Sequence, residues 1–154
     1  MSTTFNAVNA KLLDYGVGNV HSVTRAFFAA TGIRLQLESN VRACLDSDLV
    51  VLPGVGAFSH AAAVLEPNRQ ELRDALLDGL PCIGICLGMQ LLFEQSEEGE
   101  GRGLGLIPGK VRKLTGACVP HMGWSEVSDS SDRMYFAHSY ECIADDARIV
   151  RSVA

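Results

Sequence analysis

The chain has 154 residues, a formal net charge of −5 and no cluster of lysine or arginine. This length predicts one domain with its own core, and the missing basic cluster excludes a nucleic-acid partner. The longest apolar run, residues 80–93, contains Pro81 and two glycines and is shorter than the ~18 residues that a membrane span needs. The N-terminus has no signal-peptide pattern, and the five cysteines lack C-x-x-C spacing. We therefore expect a cytoplasmic protein with reduced thiols, without a disulfide framework or metal site.

Strands and helices alternate through the first 95 residues. Short apolar runs ended by glycine or proline predict the strands, and apolar residues at helical spacing predict the helices. The first helix starts at Val20, with Asn19 as its N-cap and Gly32 just past its end. The predicted strands are Val8 to Leu13, Ile33 to Glu38, 48 to the stop at Pro53 and 81–85; the later helices are 57–65, 69–78 and 87–95. This rhythm predicts βαβ units and a mainly parallel sheet.

The character of the chain changes after Gln95. A polar, glycine-rich loop, 96–103, is followed by strand-like pieces at 110–114, 134–140 and 147–150, with no convincing helix. No internal repeat separates this part from the rest, so we treat residues 1–154 as a single domain.

The strongest chemical signal is 84-GICLG-88, a G-x-C-x-G pattern between a predicted strand and a predicted helix. In a nucleophile elbow the glycines permit a tight turn, and the start of the following helix favours the thiolate. The N–H of Leu87 would then face the oxyanion that forms when Cys86 attacks a carbonyl. The alternative is a small, buried, unreactive cysteine, which is the commoner state of a free thiol.

Two further features support a site at this edge of the sheet. The loop 53-PGVGAF-58 also follows a strand, so the N–H of Val55 or Gly56 could supply a second oxyanion donor. Gln90 lies one helical turn after Cys86 and places an amide in an otherwise apolar helix, where a polar substrate could pair with it. Glu94, one turn further on, is more simply a solvated side chain.

Other polar motifs are less informative. The loop 14-DYGVGN-19 has G-x-G but lacks the third glycine of a dinucleotide fingerprint, so we reject it as a cofactor site. His21 and His60 lie in or next to helices and are most simply surface residues. His121 and His138 lie in loops or strand ends, where functional residues collect, but neither is an obvious base for Cys86.

Six motifs occur in order: DYGVGN, PGVGAF, GICLGMQLLFE, GLGLIPGKV, PHMGW and YFAHSY. Together they resemble the glutaminase-subunit family of imidazole glycerol phosphate synthase, a branch of the class I glutamine amidotransferases, over about residues 10 to 140. The resemblance implies an α/β, three-layer, flavodoxin-like fold with a mainly parallel central sheet. It implies no cofactor.

The resemblance also implies roles for individual residues. Cys86 would attack the side-chain amide of L-glutamine to form a thioester and release ammonia, with Leu87, Val55 and Gly56 around the oxyanion. Residues that resemble the family's binding site for the amino-acid end of glutamine are Gln90, Glu98, His138, Ser139 and Tyr140. The ammonia would pass to a (β/α)₈-barrel cyclase subunit in a heterodimer of histidine biosynthesis. Residues that resemble the surface facing this partner are Asn19, Pro120, Met122 and Trp124, and an exposed Trp beside Met and Pro suits a docking surface.

The sequence departs from the family pattern in three places. No H-P-E occurs in the 154 residues, although the family's catalytic histidine and glutamate lie in an F-H-P-E-type motif well after HSY. Lys11 lies in a strand expected to be buried, and the stretch between Trp124 and Tyr135 is shorter than usual. We therefore expect an incomplete, C-terminally truncated domain with severely impaired glutaminase activity and uncovered apolar surface.

Three hypotheses remain open at this stage. The first is a glutaminase subunit by descent that carries the nucleophile and oxyanion half of its site. The second is a non-catalytic pseudo-glutaminase that docks on the cyclase subunit and modulates it. The third is a cysteine hydrolase on a similar elbow, with His138 or His121 recruited as its base.

Overall fold

A four-stranded parallel sheet organises the N-terminal two thirds of the chain. The computed structural model describes residues 8–16, 18–116, 118–127 and 132–145. Its strands β1 to β4 lie in the order β2-β1-β3-β4, and this order matches the flavodoxin-like arrangement. Their bounds are Ala10–Leu13, Leu35–Glu38, Leu49–Leu52 and Cys82–Gly84. Each strand predicted from the sequence in this region is confirmed, at a shorter length.

Five helices connect or flank these strands: α1 (Val20–Thr31), α2 (Val41–Cys44), α3 (Phe58–Leu65), α4 (Arg69–Leu77) and α5 (Leu87–Gln90). A 3₁₀ turn, Glu66–Asn68, joins α3 to α4. The predicted caps of α1 are confirmed. Asn19 accepts the Ser22 N–H at 3.1 Å, and Gly32, at φ 73°, donates its N–H to the Phe28 carbonyl at 2.8 Å.

Helices cover both faces of the sheet, which confirms the three-layer prediction. One core cluster contains Leu12 and Val51 and packs against the partly buried side of α1. The other contains Val50 and Leu52 and includes buried residues of α2, α3, α4 and α5. The neighbouring residues Val50 and Val51 belong to different clusters because successive side chains of a strand point to opposite faces.

The predicted helix 87–95 is too long, because α5 ends at Gln90. The carbonyls beyond this point accept hydrogen bonds from a segment that lies alongside rather than from the next helical turn. Leu104 donates its N–H to the Leu91 carbonyl at 2.7 Å, and Gly103 donates to the Glu94 carbonyl at 2.9 Å. The segment 103–107 therefore replaces the helical bonding pattern and turns the chain away from α5.

The remaining strands form two antiparallel ribbons. β5 (Gly109–Lys113) pairs with β8 (Tyr140–Ala144), and β6 (His121–Glu126) pairs with β7 (Arg133–His138). The predicted strands at 110–114 and 134–140 are confirmed in substance, although the second divides at Ser139 into β7 and the start of β8. The sequence analysis missed β6 and the short helix α2, and its strand at 147–150 lies outside the described residues.

Lys11 is compatible with its strand because its ammonium reaches the end of a helix. The side chain is half-buried, and its Nζ donates a hydrogen bond to the carbonyl of Ala43 in α2. A cation at the C-terminal end of a helix satisfies carbonyls that have no partner within the helix. The long aliphatic stem can meanwhile lie along the apolar sheet.

Two apolar side chains at the edge strand β4 remain accessible. Within the described residues β4 pairs with β3 alone. Ile83 and Ile85 are 40% and 37% exposed, although Ile83 lies directly beside the buried Val51. None of the helices in the described part of the chain is long and apolar enough to cross a bilayer.

Tyr15 offers a direct test of the core. Its side chain is buried, and among the described residues its hydroxyl has no hydrogen-bond partner. Burial also raises the pKa of this phenol far above its ordinary value. An unpaired buried hydroxyl costs ~1–3 kcal/mol, so Tyr15→Phe is expected to increase the free energy of unfolding by about 1 kcal/mol in urea denaturation.

The matched control is Tyr135→Phe, since Tyr135 is 56% exposed and its hydroxyl has no such cost. This control should leave the free energy of unfolding unchanged. A loss of stability in Tyr15→Phe would mean that the buried hydroxyl has a partner, and would contradict the assignment.

Candidate active site

Cys86 lies in a tight turn between β4 and α5, as a nucleophile elbow requires. It is the only non-glycine residue with a positive φ among those described, at φ 51° and ψ −107°. For a residue with a Cβ this conformation is strained by about 1–3 kcal/mol. The residue is exposed, which excludes the buried, inert cysteine as a description of this site.

The elbow glycines are required by close backbone contacts. A Cβ on Gly84 would lie 2.8 Å from the Gly88 carbonyl oxygen and from the Met89 Cα. A Cβ on Gly88 would overlap the carbonyl of Leu52 in β3. Both positions therefore exclude side chains, and the turn lies directly on the neighbouring strand.

The second predicted loop touches the elbow through its own glycine. A Cβ on Gly54 would overlap the Ile85 carbonyl oxygen and lie 2.6 Å from the Leu87 nitrogen. This contact brings the 53–58 loop beside the thiol. Within the described part of the chain, no backbone carbonyl accepts the N–H of Val55 or Gly56. Both groups are therefore available to a ligand.

A cavity of about 350 Å³ opens at this point. Its volume falls in the range of sites for small molecules. It is lined by Gly54, Val55, Gly56, Cys86, Leu87, Gln90, Glu98, Pro120, Met122, Ala137, His138, Ser139 and Tyr140. The cavity thus unites every residue to which the family resemblance assigned a catalytic, oxyanion or glutamine-binding role.

Two of the predicted partner-facing residues lie outside this cavity. Asn19 caps α1 through its side chain and is exposed, while Trp124 is 62% exposed and stacks edge-to-face on Tyr135 with ring centroids 5.8 Å apart. Pro120 and Met122 line the cavity and are themselves exposed. Met122 and Trp124 project from the same face of β6 because they are two residues apart.

The sequence analysis did not single out Gly54 or Ala137 as residues of the site. The Pro-Gly pair was a usable signal for Gly54, because the residue after a strand-ending proline begins the loop. Ala137 had no local signal. It joins the cavity only because β7 pairs with β6 and places it opposite Met122.

The pKa of the Cys86 thiol is raised, contrary to the expectation that the helix would favour the thiolate. The residue is exposed to the cavity, but the protein atoms around its sulfur displace part of the water that would stabilise a thiolate, and this desolvation is the main cause. The Leu87 N–H acts in the opposite direction, and the negative charge of Glu98 adds to the rise. Because α5 has only four residues, its dipole is small, and burial outweighs it.

Two polar side chains of the cavity are held in defined states. Gln90 is 92% buried, and its Oε1 accepts a hydrogen bond from the Ser96 hydroxyl at 3.3 Å. Burial raises the pKa of Glu98, while the Gln90 amide opposes the rise by hydrogen bonding to the carboxylate. The Oε2 atom of Glu98 is buried and has no hydrogen-bond partner among the described residues. A cationic ligand group would satisfy it.

Of the three histidines His60, His121 and His138, only His138 lines the cavity. Its Nδ1 lies 2.9 Å from the Tyr140 carbonyl. A carbonyl can only accept, so Nδ1 carries a proton, and Nε2 has no hydrogen-bond partner among the described residues. His121 contacts Ser125 instead and does not line the cavity, and His60 is exposed on α3. Among the described residues no histidine forms a hydrogen bond with Cys86.

No set of three or more His, Cys, Asp or Glu side chains in the described ranges is arranged to bind a metal ion.

The model of the family "Glutamine amidotransferase class-I" matches residues 11–149. The chain belongs to this family. One solved structure, a crystal structure of a glutamine amidotransferase, superimposes with a TM-score of 0.69 over 85% of this chain and 71% of that chain. At 17% identity this likeness supports the family's fold alone.

Curated relatives within the family are considerably more similar. The imidazole glycerol phosphate synthase subunit HisH of Natronomonas pharaonis is 42% identical over 95% of this chain and 75% of its own length. The subunit of the same name from Prochlorococcus marinus is 39% identical over 94% and 75%, respectively. That from Aquifex aeolicus is 40% identical over 90% and 74%.

The effect of the Glu98 charge on the pKa of the Cys86 thiol can be tested directly. Glu98→Gln removes a negative charge that raises the pKa of Cys86. The thiolate should then form at lower pH, and alkylation of Cys86 by iodoacetamide should become faster at any pH below the wild-type midpoint. The measurement is the alkylation rate of the Cys86 peptide against pH, followed by mass spectrometry.

Glu97→Gln is the control, because the Glu97 carboxylate accepts the Lys113 N–H and does not line the cavity. The Cys86 profile should be the same in this variant as in the wild type. An equal displacement in both variants would show that the effect is general and does not arise from Glu98.

Proposed function

We propose that this chain is a glutaminase subunit of imidazole glycerol phosphate synthase, which hydrolyses L-glutamine and supplies ammonia to a cyclase subunit. The observation that supports this proposal best is one cavity that unites the Cys86 thiol, backbone N–H groups of two loops and the Glu98 carboxylate, whose Oε2 has no hydrogen-bond partner among the described residues. The relatives at about 40% identity bear this synthase's subunit name. We also propose a cytoplasmic location, where thiols stay reduced.

The proposed reaction begins with attack of the Cys86 thiolate on the side-chain amide carbon of glutamine. The carbonyl oxygen becomes an oxyanion, which the N–H of Leu87 and an N–H of Val55 or Gly56 would stabilise. Collapse of this intermediate breaks the C–N bond and, with one proton, releases ammonia and leaves a thioester. Water then attacks the thioester to give glutamate and to restore the thiol.

The amino-acid end of glutamine would occupy the polar side of the cavity. Its α-ammonium suits the unpaired Oε2 of Glu98, since a buried carboxylate oxygen without a donor is costly. Gln90, Ser139 and Tyr140 line the same cavity and offer further polar contacts. His138 also lies here, with its free Nε2 as an acceptor for a substrate N–H.

The proposed reaction also needs a group that takes up and returns protons beside Cys86. No H-P-E sequence occurs in the 154 residues, and within the described part of the chain no histidine is hydrogen-bonded to Cys86. General acid–base catalysis contributes ~10²–10⁴-fold. A histidine hydrogen-bonded to the thiol would supply this help, so we propose that the described residues by themselves hydrolyse glutamine more slowly by about that factor.

No described histidine is hydrogen-bonded to Cys86, and this favours a second candidate function, a pseudo-glutaminase that docks on the cyclase subunit and modulates it without turnover. The raised pKa of the Cys86 thiol agrees with it. Both candidates use the same docking face, which we define as Pro120, Met122, Trp124 and Asn19. We propose a (β/α)₈-barrel cyclase subunit as the partner. Recruitment of His138 as a base is a third, weaker proposal, supported by its free Nε2 in the same cavity.

Glutamine hydrolysis in the presence of a purified cyclase subunit separates the two leading candidates. Glutamate and ammonia release that disappears in Cys86→Ala and persists in Cys118→Ala is the result expected for the glutaminase. Cys118 is an exposed thiol outside the cavity and so controls for loss of any cysteine. Unchanged cyclase binding with no release from the wild type would instead support the pseudo-glutaminase. Absence of both would contradict both candidates.

The proposed docking face can be tested with Trp124→Ala. A buried Trp anchor at an interface contributes ~2 kcal/mol or more, which corresponds to roughly 30-fold weaker binding. The dissociation constant for the cyclase subunit, measured by calorimetry, should rise by about this factor. Leu77→Ala, at the end of α4 and 57% exposed, is the control and should bind normally. Equal affinities of both variants would place the interface elsewhere.

A further inference from the structure

Ser96 lies behind the cavity wall and connects two of its polar side chains. It does not line the cavity itself. Its hydroxyl donates a hydrogen bond to Gln90 Oε1 at 3.3 Å and accepts the backbone N–H of Glu98 at 3.1 Å. Backbone bridges to Gly99 and Val111 hold Ser96 in place. The hydroxyl therefore links a helix residue, Gln90, to a loop residue, Glu98.

The bond from Ser96 decides how the Gln90 amide is oriented. Oε1 can only accept, so a hydroxyl donor on one side fixes the oxygen there and turns the NH₂ group away. That NH₂ group favours the ionised form of the Glu98 carboxylate. Without the hydroxyl, the buried Oε1 would lose this donor, and the amide could turn its oxygen toward the carboxylate, where the two acceptors repel.

The second bond acts on Glu98 through the backbone. By accepting the Glu98 N–H, Ser96 forms a small turn that fixes the start of the 96–103 loop. The Glu98 carboxylate is thereby presented at the cavity with its Oε2 buried and, among the described residues, unpaired. Both bonds of Ser96 thus converge on the placement and charge state of one carboxylate.

We propose that Ser96 is a positioning residue, which orients the Gln90 amide and the Glu98 loop so that the Glu98 carboxylate meets the α-ammonium group of an amino-acid substrate. The proposal rests on the proposed function, because it takes glutamine as the occupant of the cavity. Ser96 acts on recognition of the ammonium group rather than on the chemistry at Cys86. Its loss should therefore affect KM for glutamine more than kcat.

The test compares two ligands that differ only in the ammonium group, L-glutamine and glutaramic acid. Affinities are measured by NMR titration in a Cys86→Ala background, which prevents turnover. The contact between the Glu98 carboxylate and the α-ammonium joins two charged groups, so a misplaced Glu98 should weaken binding strongly. We expect Ser96→Ala to weaken glutamine binding by about tenfold, and glutaramic acid binding by less than about twofold. Ser96→Thr keeps the hydroxyl and should restore the preference for glutamine.

A second measurement needs no ligand. The titration midpoint of the Glu98 carboxyl, followed by ¹³C NMR in the free protein, should lie higher in Ser96→Ala than in the wild type. An unmoved midpoint would overturn the proposal, as would equal weakening of both ligands, which indicates a merely structural role. Failure of the Cys86→Ala protein, with Ser96 intact, to bind either ligand would contradict the proposed function, and the Glu98 midpoint would then decide the role of Ser96 alone.

Discussion

The site depends on backbone-to-backbone contact at the edge of the parallel sheet. Gly54, Gly84 and Gly88 each lie where a Cβ would meet main-chain atoms of a neighbouring segment. Side chains at these positions would separate the elbow from β3 and from the 53–58 loop. The thiol and the N–H groups around it then would not share one cavity. The three glycines are therefore needed before any reactive side chain can contribute to the site, because they allow these segments to lie in contact.

The polar half of the site depends on where α5 ends. The helix lasts only to Gln90 because the 103–107 segment bonds to the carbonyls that would continue it. The chain can then fold back and place Ser96 and Glu98 beside Gln90. A helix continued to residue 95 would have carried both residues away along its axis, at 1.5 Å per residue. The short helix thus brings the Glu98 carboxylate to the cavity that also holds the Cys86 thiol.

Much of this arrangement could be predicted from the sequence. Strand–glycine–helix patterns located the parallel sheet, the elbow at Cys86 and the caps of α1, because these features depend on local spacing and backbone freedom. The length of α5 could not be predicted, since it is set by hydrogen bonds from residues a dozen positions later. The linking role of Ser96 and the position of Ala137 likewise arise from contacts between segments. The position of Lys11 in a buried strand could not be explained from the sequence, because its hydrogen-bond acceptor is a carbonyl of α2, more than 30 residues away.

The positive φ of Cys86 has a consequence for the energetics of the whole domain. Glycine adopts this conformation without the penalty that any L side chain incurs there. The most stable residue at position 86 is therefore one that has no thiol, so stability and thiol reactivity make opposite demands on this position. Gains in stability by substitution at the elbow would come at the expense of reactivity, a local stability–activity trade-off. The positions two residues before and after Cys86 are glycines, so this trade-off between stability and reactivity falls on Cys86 itself.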